Sequence, residues 1–136
     1  SSAVAEVGIE ATFVLERRGR RWAATAFSVG GVTGDPIDLD ALWHFADAQK
    51  AARARAELET VRAALERFRE ERGFYVVADS EVVLMDHLSP SYIARVVRLD
   101  PWLRPYRYAG TRERFTLSSD GPDGKQGTPD DVTLNK

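Results

Sequence analysis

Residues 118–132 read SSDGPDGKQGTPDDV, and the fold is decided by how this stretch is understood. Asp120, Asp123, Asp130 and Asp131 crowd against the single Lys125, and carboxylates so close together repel one another unless positive charge lies among them. Gly121, Gly124 and Gly127 allow the backbone to turn tightly and direct its carbonyls inward, as a hard cation with about six to eight oxygen ligands requires. Calcium suits that donor set. Magnesium prefers to keep its waters, and zinc favours His or Cys, which the loop lacks. The spacing is not that of an EF-hand, because D-x-D-x-D-G is absent and no glutamate closes the loop. On composition alone, 120–131 reads either as a calcium site or as a solvated turn.

Working outward, RPYRYAG (104–110) and RERFTLSS (112–119) read as short strands on either side of the turn AGTRE, with the aspartate loop closing the chain. Residues 80–88, SEVVLMDHL, form a short predicted helix capped by Ser80. SPSYIARVV (89–97) reads as a turn followed by a short helical or extended piece. Before these lies a long predicted helix, with Asp38 as N-cap, Ile37 and Leu42 placed as a hydrophobic staple, and Gly73 ending it. Leu58, Val61, Leu65 and Phe68 recur at spacings that put them on one core-facing stripe. The first half, rich in alanine from Ala46 to Ala56, supports helix but buries little area. Arg53/Glu57, Arg55/Glu59, Arg62/Glu66 and Arg67/Glu71 are expected as solvent-facing ion pairs.

At the N-terminal side, residues 4–15 and 21–29 are rich in β-formers and flank the turn ERRGR, predicting a β-hairpin. GGVTGDP (30–36) serves as a connection, which divides the chain into a hairpin and linker over 1–35 and a main domain over 36–136. Arg17, Arg18, Arg20 and Arg21 at the tip, beside Trp22, read as a solvated end that discourages edge pairing. The same residue types could meet phosphates.

A chain of 136 residues has room for one main core. Its net charge of −2 gives no global attraction to nucleic acid, and no nucleic-acid partner is expected. The absence of cysteine excludes disulfides and thiolate metal sites. No apolar run approaches the ~20 residues that cross a bilayer. Because Ser1 stands where a methionine would open a primary product, an anchor or export signal is expected to have been removed. No catalytic constellation emerges: His44 and His87 lie far apart without triad partners, and Ser118 and Ser119 lack a nearby base. Trp102 and Tyr106 read as packing residues.

LSPSYIARVVRLDPWLRPYRYAG (88–110), followed by FTLSSDGPDGKQGTPDDV (115–132), resembles the C-terminal domain of the major pseudopilin of type II secretion systems. That family has a proline-tyrosine turn, D-P-W-G-x-P-Y-x-Y, a strand, and S-x-G-x-D-G-x-x-G-T-x-D-D. The match runs through Asp100, Pro101, Trp102, Pro105, Tyr106 and Tyr108. It continues through Ser119, Gly121, Asp123, Gly124, Gly127, Thr128, Asp130 and Asp131. With the amphipathic helix ARAELETVRAALERFREERGFY, it covers about residues 52–136.

The resemblance implies an α+β, pilin-like fold: a long helix packed on a small antiparallel sheet with a C-terminal calcium loop, here preceded by the hairpin. It implies calcium held by Asp123, Asp130 and Asp131 together with main-chain carbonyls, that of Asp120 among them. The implied role is a non-enzymatic assembly component on the periplasmic side of a bacterial membrane, anchored in its full-length form, with itself or other secretion subunits as partners. The alternative is a membrane-anchored extracytoplasmic protein that uses the same domain as a calcium-stabilised binding module. Two departures stand out. Leu103 occupies the glycine position after D-P-W, and a hairpin and linker stand where the family has a leader and an apolar helix.

Overall fold

The computed structural model describes residues 8, 10–30 and 34–136. The parts of the expected hairpin on residues 4–7 and 9, and of the connection on 31–33, lie outside the described residues. The chain forms two compact units, Ser1–Ala46 and Asp47–Lys136.

In the first unit, β1 (Ala11–Arg18) and β2 (Arg21–Val29) pair antiparallel around a turn in which Gly19 takes φ 64°, a left-handed conformation that glycine adopts without steric cost. A bulge falls between Val14 and Leu15, where the register moves from Val14 opposite Ala26 to Leu15 opposite Ala24. The short β3 (Ile37–Asp38) adds to β2, giving the order β1-β2-β3. Then α1 (Leu39–Arg72) begins. Asp38 caps it as expected, its carboxylate accepting the Ala41 N–H at 3.0 Å.

The second unit holds the core. The expected stripe of α1 is buried: Ala54, Leu58, Val61, Ala64, Leu65 and Phe68. Full burial of each large apolar side chain on this face contributes about 1.5–3 kcal/mol. Gly73, at φ 79°, ends the helix and donates its N–H to the Arg69 carbonyl at 2.7 Å. Next, α2 (Glu81–Leu88) is capped by the Ser80 hydroxyl, which accepts from Val82, and it buries Leu84, Met85 and Leu88. The segment after α2 is irregular and extended, without the helical alternative. Tyr92 and Ile93 drop their side chains into the core while their N–H groups both bond back to Leu88.

A three-stranded antiparallel sheet completes the unit, with β4 (Arg107–Gly110), β5 (Phe115–Ser119) and β6 (Val132–Asn135) in that spatial order. The strand β6 is absent from the sequence reading, which let the aspartate loop close the chain. Only Val132 and Leu134 supply its apolar signal, and its place is set by pairing with β5. Tyr108, Phe115, Leu117 and Val132 face the helix stripe in one apolar cluster.

The helix charges behave differently from the expected ladder. Arg53 and Glu57 pair at 2.9 Å, but Arg62 turns back to Glu59 and Arg67 donates to the Tyr92 carbonyl. Three helix glutamates receive tyrosine hydroxyls, Glu57 in addition to its arginine: Glu57 from Tyr106 at 2.7 Å, Glu66 from Tyr75 at 3.0 Å and Glu71 from Tyr92 at 2.6 Å. These rings are buried, and a buried hydroxyl without an acceptor is costly, so the carboxylates complete the core's edge.

Candidate functional site

Residues 120–131 form the connection between β5 and β6, and the pair Ser119–Val132 fixes both its ends. The loop is thus held by the sheet on either side. Gly121, Gly124 and Gly127 all have positive φ, at 59°, 68° and 84°, so the three glycines foreseen in the sequence make the bends. At Gly121 a Cβ would run into the Asp130 backbone, and at Gly124 into the Arg104 guanidinium.

Asp123, Asp130 and Asp131 come together around the Thr128 hydroxyl. Its oxygen lies 3.3 Å from Oδ1 of Asp123, 2.6 Å from Oδ1 of Asp130 and 3.2 Å from Oδ1 of Asp131, with the Lys125 carbonyl at 3.0 Å. One hydroxyl has one proton to donate, so four acceptor oxygens around it exceed what it can satisfy. Backbone N–H groups take up part of the remainder. Asp123 accepts from Lys125 at 2.7 Å, Asp130 from Asp123 at 3.0 Å and Asp131 from Gly127 at 2.7 Å. The Thr128 hydroxyl and the Asp123 amide hold the Asp130 carboxyl below its ordinary pKa. Thr128, part of the motif but not among the expected ligands, is the residue at the centre.

Asp120 stands apart from these three. Its carboxylate is nearly buried and pairs with Arg107 through contacts of 2.6–2.9 Å, which lower its pKa, while its carbonyl accepts the Gly124 N–H at 3.1 Å. Arg104 lies on the other side, donating to the Gly121 carbonyl. The two arginines bring positive charge to an acidic loop.

Three carboxylates, a carbonyl and a hydroxyl meet about the Thr128 side chain, oxygen donors of the kind a hard cation takes. The arrangement itself is hydrogen-bonded, and among the described residues no three His, Cys, Asp or Glu side chains are grouped so as to hold a metal ion directly.

The loop is braced by the turn 100–104. Asp100 is buried, and its Oδ1 accepts the N–H groups of Trp102 and Arg104, both at 2.9 Å. Within this turn Leu103 takes φ 66° and is 79% exposed. The turn therefore keeps the left-handed residue that the resemblance assigns to glycine, and a leucine bears the strain. Trp102 packs partly buried, its indole donating to Asp47 at 2.9 Å. Of the histidines, His44 is exposed and His87 bonds the Val83 carbonyl one helical turn back, at 3.0 Å.

Among comparisons with known proteins, the family model described as type II secretion system protein G matches residues 42–135. No curated protein and no solved structure matches the chain.

Proposed function

The chain belongs to the family of type II secretion system protein G, and on that premise we propose that it is a non-enzymatic, extracytoplasmic assembly component whose 120–131 loop is stabilised by calcium. The family match over 42–135 supports the secretion role, with other subunits of the apparatus as its partners. The observation that supports calcium is the gathering of Asp123, Asp130, Asp131 and the Lys125 carbonyl about one hydroxyl. These residues would hold the ion, which supplies charge neutralisation and cross-links the loop. Asp120 contributes by fastening the loop to Arg107. Binding requires the carboxylates to exchange their bonds to Thr128 and the loop amides for contacts with the cation.

A cation bound by the folded state alone stabilises it by mass action, by about 2.7 kcal/mol when free calcium is 100 times its Kd. The experiment is thermal unfolding of the chain with calcium and with chelator. A rise in midpoint with calcium, abolished by Asp123→Ala, is expected. An unchanged midpoint removes the calcium reading and leaves the family assignment standing.

One observation favours a second reading, in which the domain is a binding module of an anchored protein. The sheet β1-β2-β3 lies outside the matched residues. The sequence encoded ahead of Ser1 separates the two. A basic leader with an apolar helix running into this chain supports the secretion subunit, and a remote anchor or an ordinary signal supports the module.

A further inference from the structure

The first bend of the aspartate loop is folded against the side chain of Arg104. The backbone of that residue is fixed in the turn 100–104: its N–H donates to Oδ1 of Asp100 at 2.9 Å, and its carbonyl accepts the Asp100 N–H at 2.7 Å. From this root the guanidinium donates to the Gly121 carbonyl, and it fills the place that a Cβ on Gly124 would take. Its Nε–H is buried and has no acceptor among the described residues. A buried donor without an acceptor is costly, so hydrogen bonding alone does not account for this seat.

Charge does account for it. The loop 120–131 holds four aspartates and one lysine. Asp120 is taken by Arg107, and Lys125 is exposed, with no ion pair among the described residues. Asp123, Asp130 and Asp131 therefore share the Thr128 hydroxyl with no cationic side chain in contact among the described residues. Gly121 links this group to Arg104. Its carbonyl takes the guanidinium, and a Cβ on it would lie 2.8 Å from Oδ2 of Asp130. After the Thr128 hydroxyl and the Asp123 amide, the Arg104 charge adds to what holds the Asp130 carboxyl below its ordinary pKa. A fixed positive charge at this range attracts the carboxylates, and by the same Coulomb law it repels a divalent cation placed among them.

We propose that Arg104 is the resident counter-ion of the loop 120–131: it holds the loop closed when no metal is bound, and it lowers the affinity of the loop for calcium. The first effect is independent of the calcium reading, and the second rests on it. Both come from one charge, yet they have opposite signs. Removing the charge loosens the metal-free loop and tightens its hold on the ion.

The test is digestion of the full chain with lysyl endopeptidase in chelator, followed by calcium titration. The chain has three lysines: Lys50 within α1, Lys125 in the loop and Lys136 just after β6. Cleavage after Lys125 reads opening of the loop, and cleavage after Lys50 reads loss of the helix. In chelator, Arg104→Gln is expected to be cut after Lys125 about tenfold faster than the parent chain, with Lys50 protected in both. Arg104→Lys keeps the charge and loses the planar fork, and it is expected to stay within about twofold of the parent. Calcium is expected to protect parent and Arg104→Gln alike, with a Kd about three- to tenfold lower for Arg104→Gln. An unchanged rate for Arg104→Gln in chelator overturns the proposal. So does faster cleavage together with weaker calcium binding, the result of a role in packing alone. If neither chain responds to calcium while Arg104→Gln is cut faster, the calcium reading falls and the counter-ion assignment stands. If Arg104→Gln is cut after Lys50 as well, Arg104→Lys decides: protection like the parent's upholds charge as the cause, and rapid cleavage after Lys125 overturns it.

Discussion

The hydroxyl of Ser119 donates a 2.6 Å hydrogen bond to Oδ2 of Asp100 and so joins the end of β5 to the turn 100–104. Both residues are buried, and the same Ser119 oxygen accepts the Gly121 N–H at 3.3 Å. The first bend of the aspartate loop thus rests on a carboxylate nineteen residues earlier. Ser119→Ala leaves one acceptor of Asp100 unsatisfied and should cost about 1–3 kcal/mol. Asp100→Ala also removes the acceptor for Trp102 and Arg104 and should cost more. Urea midpoints at constant m-value check both, and a smaller loss for Asp100→Ala than for Ser119→Ala would contradict this arrangement.

Leu103 offers a stabilising change. A side chain in the left-handed region costs about 1–2 kcal/mol, and glycine there removes the strain while giving back about 0.5–1 kcal/mol of unfolded-chain entropy. Because the leucine is largely exposed, little packing is lost. Leu103→Gly should raise stability by up to about 1 kcal/mol, and Leu103→Val, which keeps the strain, should not.

The Asp120–Arg107 pair predicts a pH window. Hydrogen bonding to Arg107 holds the Asp120 carboxyl below its ordinary value despite burial. The stabilisation is therefore present above the unfolded aspartate value near ~3.9 and is lost as pH falls through the lower folded value. The stability gap between the parent chain and Asp120→Asn should be constant from about pH 5 to 7 and close below about pH 4. A gap that widens in acid would reverse the sign of this linkage.

Gly121→Ala should disable the loop from within. Its Cβ meets the Asp130 carbonyl at a positive φ, so backbone and carboxylate must both move, at a cost of about 1–3 kcal/mol. The calcium-dependent rise in thermal midpoint should shrink along with it. Gly127→Ala, with open space around its Cβ, should bear only the backbone strain and keep more of the response.

Periodicity made the second half of α1 legible, because Leu58, Val61, Leu65 and Phe68 repeat at helical spacing and need no partner to be recognised. The caps at Asp38, Gly73 and Ser80 were equally readable, since each acts on backbone groups within a few residues. The strand β6 was not, because a short strand with two apolar side chains takes its conformation from its neighbour. Nor could spacing show that Glu66 and Glu71 serve tyrosines in place of arginines. On a helix surface the intrahelical pair and the tertiary bond use the same residue types. In the loop, glycine and aspartate positions announced an oxygen-rich turn, but only the folded chain separates Asp120, held by Arg107, from the three carboxylates around Thr128.

The bonds from Tyr106, Tyr75 and Tyr92 to Glu57, Glu66 and Glu71 are spread along about 21 Å of helix at 1.5 Å per residue. A pull along the helix axis loads all three in shear together, with the Leu58 to Phe68 stripe between them, so the helix cannot slide out one contact at a time. Force arriving at α1 is transmitted as to a single body to the segments that carry these tyrosines, after α1, after α2 and just before β4, and rupture should come as one event at high tension with no sequence of small slips.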